Sequence, residues 1–589
     1  MMKKHLYYIA CLTLAGKILM SCAAQKAADT GISVTPSPCI LSPDSNNRVT
    51  ADATLCIPDS RFSKRSRLII TPQLLINDTV AATYRPYVLD QPIYHKKNIR
   101  LQKLEGYNDP YASEARLTGK VKDTLLLPYH EEIELPAEAD HGRIIAVVSS
   151  DGCGECSSID TVEVADITNP VTLIPVKKSL QLSWIEPEFV IRPKVMKGEG
   201  VANLQFAINK YDINLNLGNN SSELTEMLNT LAPILKDTLA TLTSLEIYGM
   251  ASADGSLPFN TTLARQRAMS ASQWITDQLH LDAATRRMIK IGSRPEGWAP
   301  VLAAMTAAGN ADSTSVKKIL ERYAAGNDDV QERYIRRLPC WKAIRDNYLS
   351  KDRKVVYVYT YSIKSFTTDK ELLDMYGKRP DAFNEEELLR VASLAETHEA
   401  KKEVYTTLLK YFPQNKVAAN NLAVLWLRED NEEQARAVLE SLEEYSPETL
   451  NTLAASYVYA EDYERAIELL QNAELPEARY NLGLLKARQR KLAEAYELLR
   501  PFADLNSAIS ALSLNRNEEA KYILQGVETQ TPVAEYVRSL TAARLKEDKL
   551  FFQHIGNACS DLQLRERAKT EPDFRPYREE EMFQKTVNQ

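Results

Sequence analysis

The chain has 589 residues, enough for three or four domains at roughly 100–200 residues each, and its composition is that of a folded globular protein. Its formal net charge is −7. That balance excludes wholesale disorder and offers none of the concentrated basic surface that nucleic-acid binding requires.

Residues 1–21 differ from everything after them. Lys3 and Lys4 form a short basic start, and an apolar stretch runs from Leu6 to Met20, broken by Lys17. The stretch is too short for a spanning helix, which needs about 20 apolar residues, and reads as an export signal. It ends in Leu19-Met20-Ser21-Cys22, which resembles the lipobox of bacterial lipoproteins. The resemblance implies cleavage before Cys22, a diacylglycerol on its thiol and an acyl chain such as palmitate on its amine. The alternative is ordinary secretion with a free Cys22. Residues 22–35 form a small, polar tether; the part directly after Cys22, Ala23 to Ala28, lacks the acidic run that surface-exported lipoproteins of the Bacteroidetes often carry, so the lipoprotein resemblance implies the periplasmic face of an outer membrane.

Residues 36–185 alternate short β-rich runs with Pro- and Gly-containing turns: Arg67–Ile76, Arg143–Val148, Ser158–Val164 and Val171–Ile174. No helical period interrupts them, so the pattern predicts an all-β, sandwich-like domain. Cys153 and Cys156 fall between two such runs, in a turn rather than at a helix start. They are therefore read as a structural disulfide and not as a redox pair. Cys39 and Cys56 are left open as a second bridge, while Cys340 and Cys559 read as unpaired.

Residues 195–365 change class. Asn203–Ile208, Leu242–Tyr248, Met288–Ile291 and Lys354–Tyr361 read as strands. Ser222–Leu235 shows helical spacing, a second helix runs to about Leu279, and a helical insert spans 298–348. The sum is an α/β module. Within it, Leu245 to Ala268 contains a strand ending in Gly249, the turn Gly255-Ser256, Asn260, and Leu263 followed by Arg267-Ala268. These residues resemble the OmpA-like domain, with Phe206 matching its first strand and Arg353 and Val355 the opening of its last. The insert has no counterpart. The resemblance implies peptidoglycan binding, in which a carboxylate and a guanidinium grip the zwitterionic end of the wall peptide. Arg267 matches the family arginine. Ser252 stands where the family aspartate belongs, and Asp254 two residues on either replaces it or caps the following helix. Peptidoglycan-site candidates are therefore Arg267, Asp254, Ser252 and Asn260.

From 384 to 560 helices of 10–15 residues alternate with short turns. Ala435, Ala466, Ala495 and Ala520 recur at intervals of 31, 29 and 25 residues, each preceded by a small residue twelve positions earlier: Ala423, Ala454, Gly483 and Ala508. Small residues at such points let paired helices touch. The pattern resembles the tetratricopeptide repeat, whose period is about 34 residues; the alternative is an unrelated helical bundle. Such a solenoid offers a concave surface for a protein partner. Residues 561–589 are highly charged and read as a cap or tail.

No sequence feature points to an enzyme. The seven histidines are scattered without metal-ligand spacing, and Gly198-Glu199-Gly200 lacks the rest of a phosphate loop. No Gly-x-Ser-x-Gly or His-Glu-x-x-His occurs. No cofactor or metal is expected. The order of parts resembles outer-membrane lipoproteins of the Bacteroidetes. That resemblance implies a lipid-anchored protein that tethers the envelope by binding peptidoglycan and a protein partner. The second reading is an assembly factor, for fimbriae or secretion machinery, whose OmpA-like part has lost its wall ligand.

Overall fold

The computed structural model describes residues 31–588, except 38, 45–47, 77–78, 137–138, 140, 153–158, 208, 295–296, 327 and 350–353. The signal segment, Cys22, Cys153, Cys156 and Arg353 lie outside the described residues. The chain divides into two compact units, Met1–Ile185 with Ala419–Gln589, and Glu186–Ala418. Among the described residues no helix is long and apolar enough to cross a membrane.

The first unit begins with ten strands: β1 (Ser33–Thr35), β2 (Ile40–Leu41), β3 (Arg48–Pro58), β4 (Arg67–Ile76), β5 (Thr79–Thr83), β6 (Tyr87–Asp90), β7 (Ala115–Leu117), β8 (Thr124–Glu134), β9 (His141–Asp151) and β10 (Ile159–Thr168). They form a three-stranded sheet, β1-β3-β8, and a seven-stranded sheet, β2-β10-β9-β4-β6-β7, with β5 also on β4. Alternation along β3 buries Val49, Leu55 and Ile57, and along β9 it buries Ile144, Ala146 and Val148. Both sets join one core, the arrangement of a sandwich. Each fully buried aliphatic side chain contributes about 1.5–3 kcal/mol to that core.

Three sequence expectations are overturned by the fold, and one open question is answered. Helix α1 (Pro92–Glu105) interrupts the β-rich region. Its Ile93, Ile99 and Leu104 are exposed, so no apolar stripe announced it; only its ends did, with Pro92 in the first turn and Gly106 left-handed at the C-terminus. Residues Pro170–Leu173, expected to be extended, form a 3-10 turn. Cys39 and Cys56 are free thiols, as are Cys340 and Cys559. Strand β11, described below, ends at Ala202, so Phe206 follows the first strand of its sheet instead of lying in it.

Arg67, at the start of β4, is buried with two carboxylates. Its Nε donates to Asp90 Oδ1 at 2.6 Å and its Nη2 to Asp109 Oδ2 at 2.7 Å. The Arg67 hydrogen bond holds the Asp109 carboxyl down at about 2.

The second unit carries a four-stranded sheet. Its elements are β11 (Lys194–Ala202), α2 (Asn220–Lys236), β12 (Ala240–Gly249), α3 (Leu257–Gln278), α4 (Ala283–Met288) and β13 (Ile289–Ser293). The insert follows as α5 (Trp298–Ala307), α6 (Ser313–Arg322), α7 (Asp328–Ile335) and α8 (Trp341–Asn347), then β14 (Val355–Ile363). The order is β11-β14-β12-β13; β12 and β13 are parallel, joined by a helical crossover, and β14 is antiparallel to β11 and β12. Helices α9 (Asp369–Tyr376), α10 (Glu385–Leu394) and α11 (His398–Tyr411) complete the unit. A buried ion pair, Lys194 Nζ to Glu387 Oε2 at 2.8 Å, ties β11 to α10.

The C-terminal region of the first unit consists of short helices. After α12 (Lys416–Leu427), which starts at the boundary between the units, and α13 (Glu432–Glu440), they pair as α14 (Pro447–Tyr459) with α15 (Tyr463–Gln471), α16 (Pro476–Arg488) with α17 (Leu492–Leu499), α18 (Leu505–Ser513) with α19 (Asn517–Gly526), and α20 (Pro532–Arg544) with α21 (Asp548–Ala558). Ala423, Ala454, Ala466 and Ala508 are fully buried. A Cβ added to Gly483 would lie 2.8 Å from Leu499, so the helices do meet at the small residues. Helices α22 (Leu562–Thr570) and α23 (Glu581–Asn588) follow. Their charged surface covers Phe574, Tyr577 and Phe583, which are buried against Phe551.

Candidate functional site

Two places in the chain gather polar side chains around a main-chain segment. The first is the turn between β12 and α3, which holds the expected peptidoglycan candidates. Its close packing depends on Gly249, where a Cβ would lie 1.9 Å from the Ala264 carbonyl. Gly255 has φ +105°, a conformation that only glycine adopts without strain. Asn260 is buried, and its Nδ2 lies 3.0, 3.1 and 3.1 Å from the carbonyl oxygens of Ser252, Asp254 and Gly255. Asn260 therefore shapes the turn from inside. The Ser252 hydroxyl donates to the Asp254 carboxylate.

Arg267 reaches the same turn and is 2% exposed. Its Nη1 donates to the Met250 carbonyl at 3.1 Å and its Nε to the Lys210 carbonyl at 3.4 Å, and its guanidinium lies 4.8 Å from the centre of the Phe206 ring. The fold thus brings Ser252, Asp254, Asn260 and Arg267 to one turn, with the arginine engaged by backbone.

The insert covers this turn. Glu332 of α7 is buried and its Oε1 accepts from Gly255 N–H at 2.8 Å, while Asp329 Oδ1 accepts from Leu257 N–H at 2.9 Å. Leu257 is the first residue of α3, where helix donors lack intrahelical partners, and Gly255 lies just before the N-cap Ser256, near a helix dipole that favours negative charge. Ser256, at the N-cap, makes no side-chain cap of its own. Ala253 packs into a core with Trp298, Val301, Ile335, Ile344 and Leu349. Asp254 also faces Arg345 of α8 closely enough for its charge to add to that of Asp346 in raising the Arg345 pKa. Sequence reading did not reach Asp329 and Glu332. They lie more than seventy residues from the turn, and no local pattern marks them.

The second place is the groove side of the helical repeats. Residues 180–185 carry no regular secondary structure, yet main-chain groups of Gln181, Ser183 and Ile185 find side-chain partners on the repeats. Asn481 on α16 accepts from Gln181 N–H at 2.8 Å and donates to Gln181 O at 2.8 Å. Asn421 on α12 repeats this on Ile185, at 2.9 and 2.7 Å. Between them, Asn451 on α14 donates to Gln181 O and to the Ser183 hydroxyl, both at 2.9 Å, and Asn420 donates to Ser183 O at 2.5 Å. All four asparagines are buried. Asn421, Asn451 and Asn481 stand 30 residues apart, each two or three positions ahead of a small repeat residue, and that regular spacing was visible in the sequence.

Upstream, the same segment is fastened to the last helices. The Thr168 hydroxyl donates to Asp573 at 2.8 Å, and Arg567 Nη1 donates to Thr172 Oγ1 at 2.8 Å. Val171, Leu173 and Ile174 join the solenoid core.

No family model and no curated protein matches the chain. Among solved structures it is similar to the native conformation of E. coli alpha-2-macroglobulin, at 10% sequence identity and a TM-score of 0.12. The match covers 94% of this chain and 26% of that one, so the chain spans about a quarter of its length. A likeness at that TM-score carries no argument about fold or function.

Proposed function

We propose that this chain is a lipid-anchored scaffold of the outer membrane, facing the periplasm, that works by holding proteins, does no chemistry, and has an α/β module that does not hold peptidoglycan. The observation that carries this reading is the occupied turn: Glu332 and Asp329 take the Gly255 and Leu257 N–H donors, and the buried Arg267 donates to the Met250 and Lys210 carbonyls. A wall peptide would have to displace two carboxylates and reclaim a buried guanidinium before gaining any contact. Glu332 is buried and Asp329 half-buried, so leaving their N–H partners without an acceptor costs about 1–3 kcal/mol each. The repeats supply the protein-holding surface, and Cys22 supplies the lipid. Stable anchoring needs more than one acyl chain, since each buried methylene contributes only about 0.8 kcal/mol.

Sedimentation of the purified full chain with peptidoglycan tests the reading. The expected result is no co-sedimentation, unchanged by Arg267→Ala. Co-sedimentation that Arg267→Ala abolishes would overturn it in favour of a wall tether. In cells, Cys22→Ala is expected to move the protein from the membrane to the soluble fraction.

A further inference from the structure

We infer that the asparagines of α12, α14 and α16 form an extended-peptide site that reads main-chain amides, and that residues 181–185 of this chain are its resident ligand, held in place of a partner's peptide. The inference rests on the reading of the chain as a protein scaffold.

A buried irregular segment must find partners for its N–H and C=O groups or lose the free energy of the unmade bonds. Asparagine suits that task, because one short side chain carries both an acceptor and two donors. Asn481 and Asn421 each close a two-bond pair on a single residue, Gln181 and Ile185, much as a neighbouring β-strand would. Such pairs are indifferent to the side chains at 181 and 185, and require only that neither residue be proline. Side-chain recognition enters between them. Ser183 is buried with its hydroxyl on Asn451, and the half-buried Trp184 ring lies 5.9 Å from the Arg428 guanidinium. The ligand class is therefore an extended peptide with a small hydroxyl residue followed by an aromatic, flanked by free amides.

The asparagines also brace one another. Asn481 Nδ2 donates to Asn451 Oδ1 at 2.9 Å, and Thr452 donates to Asn420 Oδ1 at 2.7 Å, so the track is preorganised across three repeats. The resident segment holds the advantage of a tethered ligand, whose effective concentration reaches the millimolar range. A partner peptide replaces it only by adding contacts, which makes the site closed by default.

The test uses the full chain and a fluorescent synthetic peptide covering Lys178 to Pro187. Gln181→Pro with Ile185→Pro removes the two N–H donors. It is expected to expose the segment to protease and to raise peptide binding at least tenfold over wild type. Gln181→Ala with Ile185→Ala leaves the main chain intact and should stay closed. Adding Asn421→Ala and Asn481→Ala to the proline variant should abolish peptide binding. A folded proline variant that binds no peptide, or alanine variants that open as readily as the proline ones, overturns the inference. Should the proline variant not fold, hydrogen exchange decides. Asn421→Ala with Asn481→Ala should speed exchange of the Gln181 and Ile185 amides at least tenfold, and unchanged rates overturn the inference. Peptidoglycan binding enters none of these measurements, so the two readings fail separately.

Discussion

The groove of the repeats and the turn of the α/β module solve one problem with different chemistry. Each must satisfy main-chain groups that have left regular structure. The groove uses neutral amides, Asn421, Asn451 and Asn481, on a segment that crosses three repeats. The turn uses carboxylates, Glu332 and Asp329, on two N–H groups where the chain enters α3. A neutral amide pairs with any extended backbone, so the groove can accept another chain of the same shape. A carboxylate answers only to donors or positive charge and is costly to leave unpaired once buried, so the insert and the turn are committed to each other.

That contrast predicts that charged seams fail more expensively than neutral ones, and the strongest test is a fully buried charged seam of the first unit. Arg67→Met leaves Asp90 and Asp109 buried without their cation, and should cost about 3–5 kcal/mol in a denaturant melt. A loss no greater than that of Asn451→Ala would break the comparison.

Acid probes the same seam with a smaller effect. The folded-state pKa of Asp109, at about 2, lies below its ordinary value of 3.8. Its contribution is therefore whole above about pH 4 and is lost as pH falls toward 2, a change of about 2 kcal/mol. Denaturant midpoints across that window should show it, and Asp109→Asn should flatten the pH profile. No group of the asparagine ladder titrates there.

The smallest expected effect lies at the turn. Asp329→Asn and Glu332→Gln keep an acceptor but remove the charge at the start of α3, and each should cost about 0.5–1 kcal/mol in thermal melts. A cost as large as that of Arg67→Met would mean that the carboxylates hold the insert in place, beyond capping a helix.

Much of this architecture was legible residue by residue. The alternation of β3 and β9, the helical spacing of Leu224, Met227 and Leu231 in α2, and the paired small residues from Ala423 to Ala520 are local patterns, and local patterns survive in a sequence. Helix α1 escaped because its most buried position is the polar Asn98 while Ile93, Ile99 and Leu104 face solvent, so its apolar residues carry no helical period. The tail from 561 looked merely charged because three buried aromatics are few among so many exposed charges. The candidate site was half legible. Gly249, Gly255, Asn260 and Arg267 sit together as the motif implied, and Asn260 shapes the turn by its contacts with three carbonyls.

By itself the sequence determined most of the elements and their order, because helix and strand preferences, turn glycines and small contact residues act within a few positions. Only the tertiary structure decided what fills the groove and what covers the turn. Gln181 meets Asn481 across 300 residues, and Gly255 meets Glu332 across 77. A hydrogen bond needs its atoms about 3 Å apart whatever the distance along the chain, so such partners become known only when the fold brings them together.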